Sequence, residues 1–223
     1  MPRIIVFDVN ETLLNVRFLE PHFEQVFGDK SALKEWFGLL LLHSEVATVA
    51  GPYFDFATIA RAALQMTASA RRVSISGAQE DEILAGMSSL PAHPEVAPAL
   101  QKLKDAGLRL VTLTNNSLRV VEAQMEASGL AAYFERCFSV DEIRRFKPAP
   151  EAYRMAASSL GVETKDLRLV AAHAWDIVGA TQAGCAAAFI ERPGKVLFPL
   201  VPPPDITGPD LAVVANRILE AER

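Results

Sequence analysis

Asp8 closes the apolar run Ile4-Ile5-Val6-Phe7 and is followed by Val9-Asn10-Glu11-Thr12. A carboxylate at the end of a buried strand is expensive to desolvate unless neighbouring groups hold it in its charged form. Asn10 sharpens the chemistry, because an amide two residues on cannot donate and recover a proton as a second acid would. Comparable polar groups end other apolar runs: Thr114-Asn115 after Leu110–Leu113, and His173 after Leu167–Ala172, with Asp176 close behind. Lys147 stands before Pro148 in a polar stretch of its own. A carboxylate, a cation, hydroxyl and amide groups and an imidazole at strand ends are the kinds of group from which a catalytic site is built.

The elements that must position these groups alternate along the chain. Short apolar runs at residues 3–7, 110–114, 136–139, 167–172 and 187–190 read as strands covered on both faces, hence a parallel sheet with helices on each side. Sheets of this kind carry their chemistry at the carboxyl ends of the strands. About ninety residues separate the first two strands, far more than a crossover requires. They hold four helical patterns broken at Gly28, Gly51-Pro52 and Ser74–Gly77. This predicts an α/β Rossmann-like core of residues 1–15 and 91–223, with a helical cap inserted at 16–90. The segment Val201–Pro204 reads as a surface loop before the last helix.

Composition limits the function classes. The 223 residues carry a net charge of −5 and are half apolar, which argues against nucleic acid as a partner. The longest apolar stretches fall short of a membrane helix, and the opening run is too short for a signal segment, so a cytoplasmic protein is expected. Cys137 and Cys185 read as reduced core residues. His22, His43 and His93 lack partners at metal-ligand spacing, and no nucleotide-binding glycine motif occurs.

The run Asp8-Val9-Asn10-Glu11-Thr12-Leu13, then Leu113–Asn116, Arg145–Pro148 and Ala172–Asp176, resembles the four ordered motifs of the haloacid dehalogenase superfamily. The resemblance covers almost the whole chain, and Lys147–Tyr153, Ala174-Trp175-Asp176 and Glu35-Trp36 are most similar to the 2-haloacid dehalogenases. It implies a hydrolase acting on short 2-haloacids without metal or other cofactor. Asp8 would displace halide to form an ester, which water then hydrolyses to a 2-hydroxy acid. Lys147 would keep Asp8 ionised and pair with Asp176, and Thr12 would help hold the nucleophile. Asn10, Phe37, Phe56, Thr114, Asn115 and Tyr153 are expected on the substrate side, Tyr153 also orienting Lys147. Trp36 and Trp175 read as core packing. The family often dimerises, and Leu39–Leu42 would supply a homodimer surface or be buried within the cap, two readings the sequence leaves open.

Three positions depart from that family's pattern. Phe37 stands where the cap would carry a halide-cradling Arg, Ala171-Ala172-His173 replaces Ser-Ser-Asn, and Glu11 replaces Gly. The last two suggest a Glu11–His173 dyad that activates water. Two other readings compete: a Mg²⁺-dependent phosphatase with Asp176 as ligand, and an idle member that binds a small acid.

Overall fold

The structure, a computed structural model, describes residues 3–222. Its first strand, β1 (Ile4–Phe7), is buried along its whole length, and the chain then leaves the sheet for a block of helices. These are α1 (Glu20–Phe27), α2 (Ala32–Ala50), α3 (Phe56–Arg71) and α4 (Gly77–Gly86). Gly28 and Gly51 stop α1 and α2, Asp55 caps α3 by accepting from the Thr58 N–H, and Ser76 and Gln79 close a capping box on α4. The block has its own interior: Trp36 and Phe23 pack together, and the Trp36 indole N–H donates to the Ala60 carbonyl at 2.8 Å.

The chain enters and leaves this block through one narrow ribbon. Leu14 and Ala92 form an antiparallel bridge, flanked by bonds from Asn15 N–H to Pro91 O at 2.8 Å and from His93 N–H to Leu13 O at 3.0 Å. The remainder alternates: α5 (Val96–Asp105), β2 (Leu110–Thr114), α6 (Leu118–Ala127), β3 (Arg136–Ser139), α7 (Pro150–Ser159), β4 (Leu167–Ala171), α8 (Ala174–Gln182), β5 (Ala186–Ile190), β6 (Ile206–Gly208) and α9 (Leu211–Ala221).

The strand order is β3-β2-β1-β4-β5-β6, with every neighbouring pair parallel. Phe7 is in register with Thr112 on one side and Val170 on the other, so Asp8 emerges where successive connections diverge to opposite sides of the sheet. That crevice is where an open parallel sheet binds its ligand. The sequence reading lacks one strand: Ile206–Gly208 pairs with β5 directly after the proline run. Three residues ending in glycine give too short a pattern to separate from a loop.

The helical block touches the core beyond the ribbon. The Phe146 N–H donates to Thr48 Oγ1 at 3.0 Å, the Tyr53 hydroxyl donates to Asp141, and the Tyr53 and Phe146 rings stack at 5.1 Å. These contacts lie next to Lys147.

Candidate active site

Asp8 is the hub of a buried charge network. Its Oδ1 accepts from Lys147 Nζ at 2.9 Å. Its Oδ2 accepts from the Thr12 hydroxyl at 2.6 Å and lies 3.0 Å from His173 Nδ1. Lys147 Nζ also donates to Asp176 Oδ2 at 2.6 Å, and both side chains are wholly buried. Burial alone would raise the Asp8 carboxyl, but Lys147 and His173 reverse this and hold it far below the carboxylate range. Burial would likewise lower Lys147, yet Asp176 and Asp8 keep it above 10.5, a fixed cation. Burial and the nearby Asp8 charge raise Asp176 against the pull of Lys147.

Local structure delivers these groups. Asn115, just past β2, accepts the Lys147 backbone N–H on its Oδ1 at 2.9 Å and so anchors the lysine loop. Gly179 lets α8 approach that loop: a Cβ there would lie 2.6 Å from both the Pro148 Cβ and the Tyr153 hydroxyl. Only a residue without a side chain allows the approach that brings Asp176 to Lys147. Thr12 works in two directions, donating to Asp8 and accepting the Ala172 N–H at 2.9 Å, which ties the ends of β1 and β4 together.

Glu11 and His173 meet, with Nε2 2.8 Å from Glu11 Oε2. Glu11 has a φ of 60°, a left-handed conformation that suits glycine and strains a residue with a Cβ. The same oxygen also accepts from Lys195 Nζ at 2.5 Å. Burial would lower His173, but the bonds to Asp8 and Glu11 outweigh it and hold the imidazolium at a pKa of about 8. In the resting arrangement His173 is therefore a cation between two carboxylates, and it becomes a base only when one of them loses its charge.

The cleft beside Asp8 is walled by Asn10, Phe37, Leu41, Phe56, Thr114, Asn115, His173 and Trp175 and encloses about 10 Å³. The carbonyl oxygens of two wall amides are engaged elsewhere: Asn10 Oδ1 accepts from Gln124 Nε2 at 3.0 Å, and Asn115 Oδ1 accepts from Lys147. Each NH₂ group makes no hydrogen bond among the described residues and is left as a free donor on a residue of the cleft wall. Thr114 caps its own loop, accepting the Asn116 N–H at 3.1 Å.

Tyr153 is not among the residues that wall this cleft; its buried hydroxyl donates to Asp176 Oδ1 at 2.5 Å and so holds the carboxylate that Lys147 pairs with. Burial and Asp176 raise its phenol well above 10, so it remains a donor.

Three residues escaped sequence reasoning. Trp175 looked like core packing, yet it lines the cleft, its ring stacks on His173 at 5.0 Å, and its buried indole N–H has no partner among the described residues. Trp36, by contrast, is packing. Gln124 is completely buried on α6 and fixes Asn10, Asn116 and the Met87 carbonyl. Lys195 follows β5 in a loop with no motif around it. Only the Ala174-Trp175-Asp176 segment carried a signal, since it neighbours His173.

The donor set does not suit a divalent cation. Lys147 Nζ already sits between Asp8 and Asp176, and Asp8 Oδ2 is shared by Thr12 and His173. Among the described residues no group of three or more His, Cys, Asp or Glu could hold a metal. No step below runs through one.

A parallel α/β sheet with a helical insertion after β1, and an ionised Asp at the end of that strand, define a hydrolase class. Residues 2–184 match the model of the haloacid dehalogenase-like hydrolases, and the chain belongs to that family. Among its relatives, (S)-2-haloacid dehalogenase 4A of Burkholderia cepacia is 30% identical over 86% of this chain and 84% of its own length. Haloacetate dehalogenase H-2 of Moraxella sp. (strain B) is 28% identical over 96% of both chains. The crystal structure of the L-2-haloacid dehalogenase RSc1362 superposes with a TM-score of 0.93 at 27% identity, covering 97% of this chain and 98% of its own.

Proposed function

We propose that this chain is a hydrolytic dehalogenase that converts short 2-haloacids to 2-hydroxy acids through an ester on Asp8. The observation that carries this reading is the Asp8 carboxylate, held ionised by a buried lysine at the floor of a cleft walled by Phe37, Leu41, Phe56 and Trp175. A charged nucleophile in a water-poor, apolar cleft suits displacement at carbon, and the relatives' names point to the same substrates.

Lone-pair accounting selects the attacking atom. Oδ2 already accepts from Thr12 and faces His173, whereas Oδ1 is engaged by Lys147 alone. Oδ1 attacks the carbon alpha to the substrate carboxylate, and the carbon–halogen bond breaks as the halide leaves with the electron pair. The NH₂ groups of Asn10 and Asn115 and the Trp175 indole N–H supply donors for the anions in the cleft. The cation beside the cleft is His173, whose ring lies 6.4 Å from that of Phe37.

Ester formation removes the Asp8 charge, and with it one of the two carboxylates that keep His173 protonated. The imidazolium gives its Nδ1 proton to solvent water, the proton that the whole reaction releases with the halide, while Glu11 retains the other on Nε2. Water then gives one proton to Nδ1 and its oxygen to the Asp8 carbonyl carbon. The ester C–O bond breaks, the alkoxide takes the hydroxyl proton, and Asp8 and the imidazolium are restored. Asp176 and Tyr153 hold Lys147 throughout.

A cleft of about 10 Å³ has room for roughly one water, so the haloacid enters when the helical cap, residues 16–90, swings on the Leu14–Ala92 ribbon over a core of 1–15 and 91–223. Among the described residues no helix is long and apolar enough to cross a membrane, and a cytoplasmic location goes with a small-acid substrate. A second copy of the chain fits the α2–α3 face, where Leu42, Val46, Phe54 and Met66 are exposed around a groove of about 400 Å³. Leu40 of the same run is buried and Leu41 faces the cleft.

Halide release from chloroacetate and 2-chloropropionate tests the reading. It should persist in chelator and vanish in Asp8→Asn. Phosphate release abolished by chelator would support a phosphatase instead, and no turnover of either class an idle binder.

A further inference from the structure

We infer that Lys195 is a positioning residue for the hydrolytic half-reaction: by clamping Glu11 it sets how readily His173 gives up its proton. The inference rests on the Asp8-ester reading and on the Glu11–His173 dyad within it.

The geometry forms an unbroken line of charge. Lys195 Nζ donates to Glu11 Oε2 at 2.5 Å, the same oxygen lies 2.8 Å from His173 Nε2, and His173 Nδ1 lies 3.0 Å from Asp8 Oδ2. The outer end of the line is open. Glu11 and Lys195 form one wall of a cavity of about 340 Å³, which Asn15, Arg17, His93 and Arg192 complete. Lys195 thus reaches a catalytic group from the solvent side of the molecule, behind the cleft that takes the substrate.

The other charges around Glu11 are already committed, which leaves Lys195 as its only direct cationic partner besides His173 among the described residues. Arg192 donates to Glu95 at 2.5 Å and to the Thr12 carbonyl at 2.8 Å, and Arg17 pairs with Glu20 at 2.6 Å. His93 lies against the Glu11 backbone, and its Nε2 has no partner among the described residues. Burial works to raise Glu11, yet its carboxyl is held below the ordinary value by His173 and Lys195 together.

The direction of the effect follows. An uncompensated Glu11 carboxylate would hold the His173 proton more tightly, so less of the neutral base would exist at a given pH. Lys195 cancels part of that negative charge. After ester formation it therefore lets His173 reach its basic form at lower pH, and it keeps Glu11 a carboxylate that retains the Nε2 proton.

Lys195→Met tests this in a two-phase experiment. Excess 2-chloropropionate is mixed rapidly with enzyme, halide release and Asp8-ester decay are followed separately, and both are repeated from pH 5.5 to 9.5. The halide burst should keep its amplitude and rate. Ester decay should slow about tenfold below the midpoint of its pH profile, with that midpoint displaced upward by about one unit, and should approach the wild-type rate at high pH. Lys195→Arg should restore the wild-type profile. Lys195 is partly exposed, and thermal melts of both variants verify folding.

Ester decay in Lys195→Met with an unmoved pH profile would overturn the inference. His173→Ala, run in parallel, separates the two levels. If it accumulates ester while Lys195→Met behaves as wild type, only the Lys195 role falls. If it hydrolyses the ester normally, the dyad falls, and the Lys195 role with it.

Discussion

Replacing Glu11 by glycine should leave the fold intact and cripple the second chemical step. Glu11 holds a φ of 60°, and the left-handed conformation costs a residue with a Cβ about 1–2 kcal/mol. Glycine removes that strain, but its freer unfolded chain takes back about 0.5–1 kcal/mol. The lost side chain gave His173 a hydrogen bond of about 1 kcal/mol net and Lys195 a partly exposed ion pair of less than about 1 kcal/mol. These contributions oppose one another, so Glu11→Gly should stay within about 1–2 kcal/mol of wild type, a shift of only a few degrees in Tm for a chain of this size. Catalysis is not balanced in this way. Without Glu11 nothing retains the proton on Nε2, the imidazole is free to present Nδ1–H to the ester, and general-base assistance worth about 10²–10⁴-fold is lost. Stopped-flow halide detection should show a burst of one halide per active site followed by near arrest, and intact-mass spectrometry should find the ester on Asp8. Steady turnover at the wild-type rate, with no ester accumulating, would refute the reasoning.

Lys147→Met leaves two buried carboxylates without their cation, and breaking a buried pair costs about 3–5 kcal/mol; chemical denaturation should show that loss, and halide release should fall below detection. Stability should also depend on His173. Its folded pKa, about 8, lies above the ordinary 6.5, so its contribution of about 2 kcal/mol is complete below pH 6.5 and fades as the pH rises through 8. Asp8 has the opposite sign: its depressed carboxyl contributes above about pH 4 and is lost in acid. Urea titrations at pH 6 and 9 should show the alkaline loss in wild type and not in His173→Gln. Trp175→Phe keeps the ring over His173 and removes the unpartnered N–H; the halide-releasing step should slow about tenfold while ester decay is unchanged, which a quenched-flow comparison of the two phases checks.

The core was legible because parallel strands buried on both faces read as unbroken apolar runs, and β2 and β3 fall on the residues their patterns mark. Short edge elements were not: Ile206-Thr207-Gly208 becomes a strand only because β5 offers it a partner. Within the site, residues that follow a strand directly, such as Asp8, Asn115 and His173, could be found from the sequence, because a polar group ending an apolar run is conspicuous. The partner of Tyr153 was not legible, because adjacency to Lys147 in the chain says nothing about where a helix side chain points; α7 turns its hydroxyl to Asp176. Gln124 and Lys195 act through folding alone, one from the middle of an amphipathic helix and the other from a loop more than 180 residues beyond Glu11, and neither has a local pattern. Glu11 lies between these cases. Its identity is visible, but the positive φ that makes it unusual appears only in three dimensions.

The most direct test is a single turnover of 2-chloropropionate with enzyme in excess in H₂¹⁸O, followed by mass spectrometry of both the lactate and the peptide containing Asp8. If Asp8 bonds to carbon and water attacks the carboxyl, the heavy oxygen enters Asp8 and the first lactate formed carries none. Label in the lactate, with an unlabelled Asp8, would mean that water strikes the substrate itself and would contradict the account.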